Sequence, residues 1–396
     1  MKMNQFLRLA LVTCATTITI GMGLWGQTPT VNASSSSYKT VSTTAIKKTP
    51  YHKSSTKGAV YNASHTKKVA NLKTYPYTTW YATAKVTLKH GSSKALYYKV
   101  KNGSGTVSGI VWHKYLKAGT SPFGLKYAKS AVALDVNTNN NVWTKNANTA
   151  RPIASLSKLM TLYLVRQKIS QGKGTWSSKV TTSNAGLKKL GKSNVFGGFK
   201  FNHNTYTVRQ LYLAGLIESS NNAAIALGQW VAGGSTPAYN KKFIGMMNNQ
   251  AKEWGLKHSS FVSASGMEQN SLAPYGYSIG ASKNANYVSA SDIAQISRHF
   301  VVDYNDILTD ASVKSMKVDG QTLHNYNNLL PGRKYYQKSL NVDGLKTGYT
   351  DPAGYCFVGT GRKSGHDRII TVVLHDENEF TETRSLMNYV YNQNLA

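Results

Sequence analysis

The sequence predicts a mixed α/β chain in two parts. A small all-β module comes first, followed by a larger domain in which helical and strand-like segments are interspersed. Three observations carry this. Between Tyr51 and Lys117, short aromatic and β-branched runs alternate with Gly, Ser and Asn turns, the spacing of short strands. Beyond residue 125, apolar helical segments (159–165, 208–217, 222–231) fall among strand-like runs at 131–136, 355–360 and 369–374. The charge also divides the chain. Residues 34–120 hold 15 lysines, no arginine and no acid, and the first carboxylate is Asp135, although the whole chain carries 16 acids against 47 basic residues.

The N-terminus reads as an export signal. Lys2 and Arg8 precede an apolar stretch from Leu9 to Leu24, and Val31-Asn32-Ala33 ends a polar region with the small residue a signal peptidase needs. Cleavage is expected after Ala33, giving a secreted, wall-associated protein; the alternative is an uncleaved anchor. A lipoprotein reading at Cys14 is opposed by Thr13 where a small residue belongs. Residues 34–50, rich in Ser, Thr and Lys with almost nothing to bury, read as a flexible linker.

The module at 51–117 follows. Strands are expected at Trp80–Leu88, Lys94–Lys101 and Gly109–Leu116, with turns at 90–93 and 101–104 and with Trp80, Tyr97 and Trp112 in or near the core. It loosely resembles the SH3-like wall-binding modules of secreted bacterial proteins. Its charge calls for a polyanion. An exported protein rarely meets nucleic acid and no nucleic-acid motif is present, so anionic cell-wall polymers are the expected partner. The bland alternative is that the lysines only confer solubility.

A Gly/Ser/Pro linker at 118–124 leads into the larger domain, 125–396, where three short motifs carry chemistry. In Ser155-Leu156-Ser157-Lys158, at the start of an apolar helix ending near Gly172, serine and lysine share a face. A lysine forced neutral by burial can take the proton of a serine that is otherwise a weak nucleophile. Ser219-Ser220-Asn221 sits between two apolar helices and by itself reads as a capped loop. Lys346-Thr347-Gly348 precedes a hairpin of Tyr355–Thr360 and Ile369–Leu374. A glycine on an edge strand there admits close approach, and the lysine and threonine beside it suit a carboxylate. Each motif alone is weak.

Together, with spacings of 64 and 127 residues, they resemble the motif set of the penicillin-binding proteins, specifically the serine-type D-alanyl-D-alanine carboxypeptidases. Ser220 stands where glycine or alanine is common, and Asn222 where aspartate is usual. The resemblance implies a DD-peptidase/β-lactamase-like α+β fold, with a central antiparallel sheet flanked by helices and a helical subdomain, and an enzyme that removes the terminal D-alanine of peptidoglycan stem peptides and is acylated by β-lactams. It implies Ser155 as nucleophile, Lys158 as its base and Ser219 as proton relay. Asn221 is then implied at the substrate amide, Lys346, Thr347 and Gly348 at the terminal carboxylate, and the backbone N–H groups of Ser155 and Tyr349 as the oxyanion hole. Endopeptidase or transpeptidase action on the same site, and a wall adhesin with an inert peptidase domain, are the alternatives. A β-lactamase would need a glutamate to activate the deacylating water. Glu253 has a tempting offset but reads as a solvated residue in a last helical turn before Gly255. Cys356 reads as a buried strand residue, and His375-Asp376-Glu377 as a turn cap rather than a metal site. No cofactor is expected.

Overall fold

A computed structural model describes residues 37–103, 105–193 and 198–396. The export-signal reading, with Cys14 and Ala33, lies outside the described residues. The first strand, β1 (Lys39–Lys53), occupies most of the segment read as a flexible linker. That expectation rested on a lack of burial, and the burial is indeed absent: Lys39 to Ala45 are all exposed. The β-branched content of Thr40, Val41, Thr43, Thr44 and Ile46 nevertheless suits an extended backbone. The strand is held by pairing, with Lys39 opposite Lys89 and Tyr51 opposite Trp80.

β1 joins β2 (Ala59–Tyr61), β3 (Lys68–Asn71), β4 (Trp80–His90), β5 (Ser93–Asn102), β6 (Ser108–Trp112) and β7 (Leu116–Ala118) in one antiparallel sheet of order β3-β2-β6-β5-β4-β1-β7. β4 alternates as a half-buried strand should, with Trp80, Ala82, Ala84, Val86 and Leu88 inward and lysines outward. Trp80 and Tyr97 are buried and Trp112 packs at the margin, as expected. Gly91, at φ +59, makes the β4–β5 turn.

The segment 118–124 is no free linker. Phe123 stacks on Tyr389 (ring centroids 4.3 Å, 9° between planes) and meets Tyr77 and Trp143 edge-on at 5.0 and 5.4 Å. The backbone N–H of Ser121 donates to Thr79 Oγ1 at 2.9 Å. Those of Lys126, Tyr127 and Ala128 all donate to the buried carboxylate of Glu382. Gly and Ser suggested freedom, but one aromatic side chain in their midst fixes the junction.

The larger domain is built on β8 (Ser130–Asp135), β9 (Asn141–Lys145), β10 (Val342–Thr350), β11 (Gly354–Arg362) and β12 (Arg368–Asp376), antiparallel in the order β10-β11-β12-β8-β9. Both faces are covered, which is why β11 and β12 read as near-continuous apolar runs rather than alternating ones. Phe357, Ile369 and Val373 pack under α7 (Glu379–Gln393) with Leu386, Met387 and Val390. Val358, Ile370 and Val372 join the larger core of α1 (Lys158–Ser170), α2 (Ala185–Lys192), α3 (Val208–Leu216), α4 (Asn221–Ala232), α5 (Pro237–Glu253) and α6 (Ala290–Asp303). β10, which carries Lys346-Thr347-Gly348, is a sheet edge, open on the side that faces the start of α1.

Candidate active site

α1 is buried without interruption from Lys158 to Val165, so it runs through the core rather than over it. A short 3-10 turn, Ala154–Ser157, delivers the chain into it and presents Ser155. Two crowded glycines press on that turn. A Cβ on Gly348 of β10 would lie 3.1 Å from the backbone nitrogen of Ser155, and one on Gly266 would lie 1.9 Å from the carbonyl oxygen of Ala154. The glycine of the third motif therefore serves the close approach expected of it. Asn286, buried, braces the same turn: its Oδ1 accepts from the N–H groups of Val262 and Ser263, and its Nδ2 donates to Ser157 Oγ (2.7 Å) and to the Ser263 carbonyl (2.8 Å). All of its hydrogen-bonding capacity is used.

Lys158 Nζ is fully buried and has three neighbours at 2.7 Å: Ser155 Oγ, Asn221 Oδ1 and the carbonyl oxygen of Ser265. Burial, and then the charge of Lys346, push its pKa well below the ordinary lysine value. A neutral amine has two N–H groups and one lone pair. The amide oxygen and the carbonyl can only accept, so they take the two N–H groups, and the lone pair is left for the hydroxyl hydrogen of Ser155. This arrangement orients a base.

Ser219 lies between α3 and α4 in the left-handed region, φ +64, a conformation that costs a non-glycine residue on the order of 1 kcal/mol. Ser220 caps α4: its Oγ accepts from Ala223 N–H and donates to Asn222 Oδ1, while Asn222 Nδ2 holds the Phe199 carbonyl. The two departures from the family pattern thus bond to each other and to the backbone, leaving Ser219 and Asn221 to face the cleft.

That cleft, about 430 Å³, is lined by Ser155, Ser219, Asn221, Thr347, Gly348 and Tyr349, among others. Of the expected positions, only Lys158 and Lys346 do not line it: Lys158 is buried behind Ser155, and Lys346, 3% exposed, donates to the Thr347 carbonyl at 3.1 Å. Burial lowers the Lys346 pKa to about 7, and the carboxylate of Glu218 works in the opposite direction. Tyr349, expected only for its backbone N–H, also forms part of the rim, its ring 4.6 Å from that of Tyr355.

Glu253 is exposed at the end of α5 and bonded to Gln250, as expected. The cleft nevertheless has carboxylates of its own. Glu218 accepts from Tyr326 Oη (2.7 Å) and from the His324 N–H, and Glu379, in the first turn of α7, also lines it. Sequence reasoning missed Glu218, Ser265, Gly266 and Asn286. Only Glu218 left a signal: a lone acid closing an apolar helix, directly before Ser219, in an acid-poor chain. Cys356 is buried and its thiol is pushed up to about 12, which suits a packing role. Asp376 Oδ1 caps the turn after β12 by accepting from Glu377 and Asn378 N–H. Among the described residues no group of three or more His, Cys, Asp or Glu could hold a metal ion.

The chain is similar to known proteins in both sequence and fold. The chain is 32% identical to the D-alanyl-D-alanine carboxypeptidase DacF of Bacillus subtilis over 251 residues, 62% of this chain and 57% of that protein. It is 33% identical to the D-alanyl-D-alanine carboxypeptidase DacD of Escherichia coli over 63% of this chain and 58% of that one. It thus spans little more than half the length of these curated relatives. Among solved structures, a peptidoglycan synthesis regulatory factor (PBP3) from Streptococcus pneumoniae superposes with a TM-score of 0.61 at 34% identity, over 67% of this chain and 74% of that one. Penicillin-binding protein D2 from Listeria monocytogenes, in its ampicillin-bound form, does so with a TM-score of 0.55 at 30% identity, over 68% of this chain and 99% of that one. The family model described as D-alanyl-D-alanine carboxypeptidase matches residues 120–378, well over half of the chain, and to that peptidase family the chain belongs.

Proposed function

We propose that the protein is a serine DD-carboxypeptidase of peptidoglycan stem peptides. The observation that carries this reading is the buried, depressed-pKa Lys158 whose two acceptor neighbours leave its lone pair to Ser155. Ser155 Oγ attacks the carbonyl of the terminal peptide bond as its proton passes to Lys158. The carbonyl oxygen becomes an oxyanion beside the N–H groups of Ser155 and Tyr349, donors of a kind worth roughly 3 kcal/mol of barrier each. The C–N bond then breaks, and the departing D-alanine amine takes a proton through Ser219. Water releases the acyl group and restores the serine. Asn221 holds the substrate amide, while Thr347 at the cleft wall and the charge of Lys346 behind it receive the terminal carboxylate. A β-lactam follows the same route to a covalent Ser155 ester.

Export and wall attachment belong to the same reading. They are supported by the basic, hydrophobic N-terminus and by the lysines of the first sheet, all exposed except the half-buried Lys53. In this reading the sheet is an SH3-like module that attracts anionic wall polymers. The deciding experiment is incubation with purified wall peptides and analysis of the products by mass. Loss of one terminal D-alanine, abolished in Ser155→Ala, is expected. Separation of cross-linked dimers without that loss would make the enzyme an endopeptidase. Wall binding with no turnover would leave an adhesin.

A further inference from the structure

The cleft at Ser155 does not end at its rim. It shares Asn328, Tyr355, Glu379 and Phe380 with a second hollow of about 270 Å³. That one shares Asn378 and Thr381 with a third of about 280 Å³, which in turn shares Tyr77 and Ser385 with a fourth of about 330 Å³. The four form one groove from the serine, along α7, to the foot of the N-terminal sheet. One face of α7 makes its floor: Asn378, Thr381, Ser385, Asn388 and Asn392 recur at intervals of three and four, the spacing of a single helix face. They span about 20 Å. On the opposite face of the same helix Leu386, Met387 and Val390 are fully buried. The stripe is thus a chosen polar surface on an otherwise core-facing helix.

The groove's chemistry points to its occupant. The N-terminal sheet region contributes Thr74, Pro76, Tyr77 and Thr78 and none of its lysines. Lys126, Lys334 and Arg384 along the way are offset by Glu218, Glu377, Glu379 and Glu382, so the walls have little net charge in a chain of net charge +31. What remains is amide, hydroxyl and tyrosine. Amides and hydroxyls both donate and accept, and tyrosine offers a flat apolar face with a polar tip. Those are the needs of a sugar ring, which has apolar C–H faces and a rim of hydroxyl and acetamido groups. The walls are also fixed relative to each other. Gln393 Nε2 donates to the Tyr77 carbonyl (3.2 Å), and Gly103 packs so closely on α7 that a Cβ there would lie 2.4 Å from the Asn392 carbonyl oxygen.

We propose that this groove seats the uncharged saccharide backbone of the polymer whose peptide branch enters the serine cleft. The proposal rests on the DD-peptidase reading for the identity of that polymer. The first sheet then has a second duty as one wall of the substrate track.

The test uses the full chain and a peptide-free hexamer of N-acetylglucosamine, with binding followed by calorimetry, beside turnover of a sugar-free pentapeptide. The expected result is saturable hexamer binding, little changed between 0.1 and 1 M salt, where the Debye length falls from about 10 to about 3 Å. Ser385→Arg, which fills the groove floor, should weaken it at least tenfold while leaving pentapeptide turnover within twofold. Tyr77→Ala, at a 38% exposed position, is the second variant should Ser385→Arg fold poorly. No binding by the parent protein, undiminished binding by both variants, or binding that collapses in 1 M salt as a polyanion's does, each overturns the proposal. A parent that binds the hexamer but leaves the pentapeptide intact, with binding lost in the variants, upholds the groove and sinks only the enzymatic reading.

Discussion

The first sheet and the catalytic cleft use the same side chain in opposite ways. In the sheet, lysines stand in water, where a charge acts at long range and is screened by salt. Behind the cleft wall, Lys158 and Lys346 are stripped of water and held near one another, and burial drives both toward the neutral form. Desolvation, not residue type, decides whether a lysine attracts a polymer or performs proton chemistry.

The comparison breaks most visibly at Lys158. Lys158→Arg keeps a nitrogen base of similar reach but installs a group that stays charged and does not give up its proton. Acylation by a labelled penicillin should fall roughly a thousandfold, the scale of a lost general base. An arginine variant that acylates normally would remove Lys158 from the mechanism. Label on the parent should persist at Ser155, because the oxygens of Glu218, the cleft acid beside Ser219, are already engaged by Tyr326 and His324.

The junction between the two regions comes next. Phe123→Ala removes the ring shared by Tyr77, Trp143 and Tyr389 and should cost about 2 kcal/mol, less than a wholly buried aromatic. Denaturant unfolding measures it. An unchanged midpoint would restore the junction to a free linker, and the sheet to an independent bead.

Lys346 sharpens the contrast within the cleft. Its pKa near 7 means that the free enzyme loses this positive charge as pH rises through 7, so kcat/KM for a free-carboxylate peptide should decline on that side. Glu218 raises that pKa, so Glu218→Gln should move the decline to lower pH. Lys346→Met should lower kcat/KM about tenfold for the free acid and little for its amide, the loss expected when a buried carboxylate contact goes unmade. Because the charge of Lys346 depresses Lys158, the same variant should also raise the Lys158 pKa and shift the acid limb upward. A profile that stays put would separate the two lysines electrostatically. The smallest effect is expected outside: replacing Lys39, Lys47 and Lys48 together by Gln should weaken binding to purified walls several-fold at 0.1 M salt and not at 1 M. Equal weakening at both would point to contacts other than charge.

Much of this was legible in the sequence. The helices around Ser155 and Ser219 and the strands of the hairpin follow apolar runs too long or too regular for loops. The three motifs carry their local structure with them: a helix start, a cap and an edge strand. What stayed hidden depends on contacts between distant segments. β1 has almost no buried side chain and exists because β4 lies beside it. The Lys158–Ser265 and Asn286–Ser157 bonds span 107 and 129 residues, and no local pattern announces such partners. The left-handed turn at Ser219 was equally silent, since serine is not the residue that ordinarily marks it.

Cys356 stands opposite Gly348 in the β10–β11 register and is the single cysteine among the described residues. Its sulfur lies 3.6 Å from the Ala353 carbonyl oxygen and the residue, at the cleft's edge, is only 1% exposed, so a thiol reagent reaches it when the packing around the sheet edge opens. The native molecule therefore carries its own clock. The rate at which a maleimide modifies Cys356 counts the openings of the strand that bears Lys346-Thr347-Gly348, and slower labelling after β-lactam acylation would time how far an occupied cleft holds that edge shut.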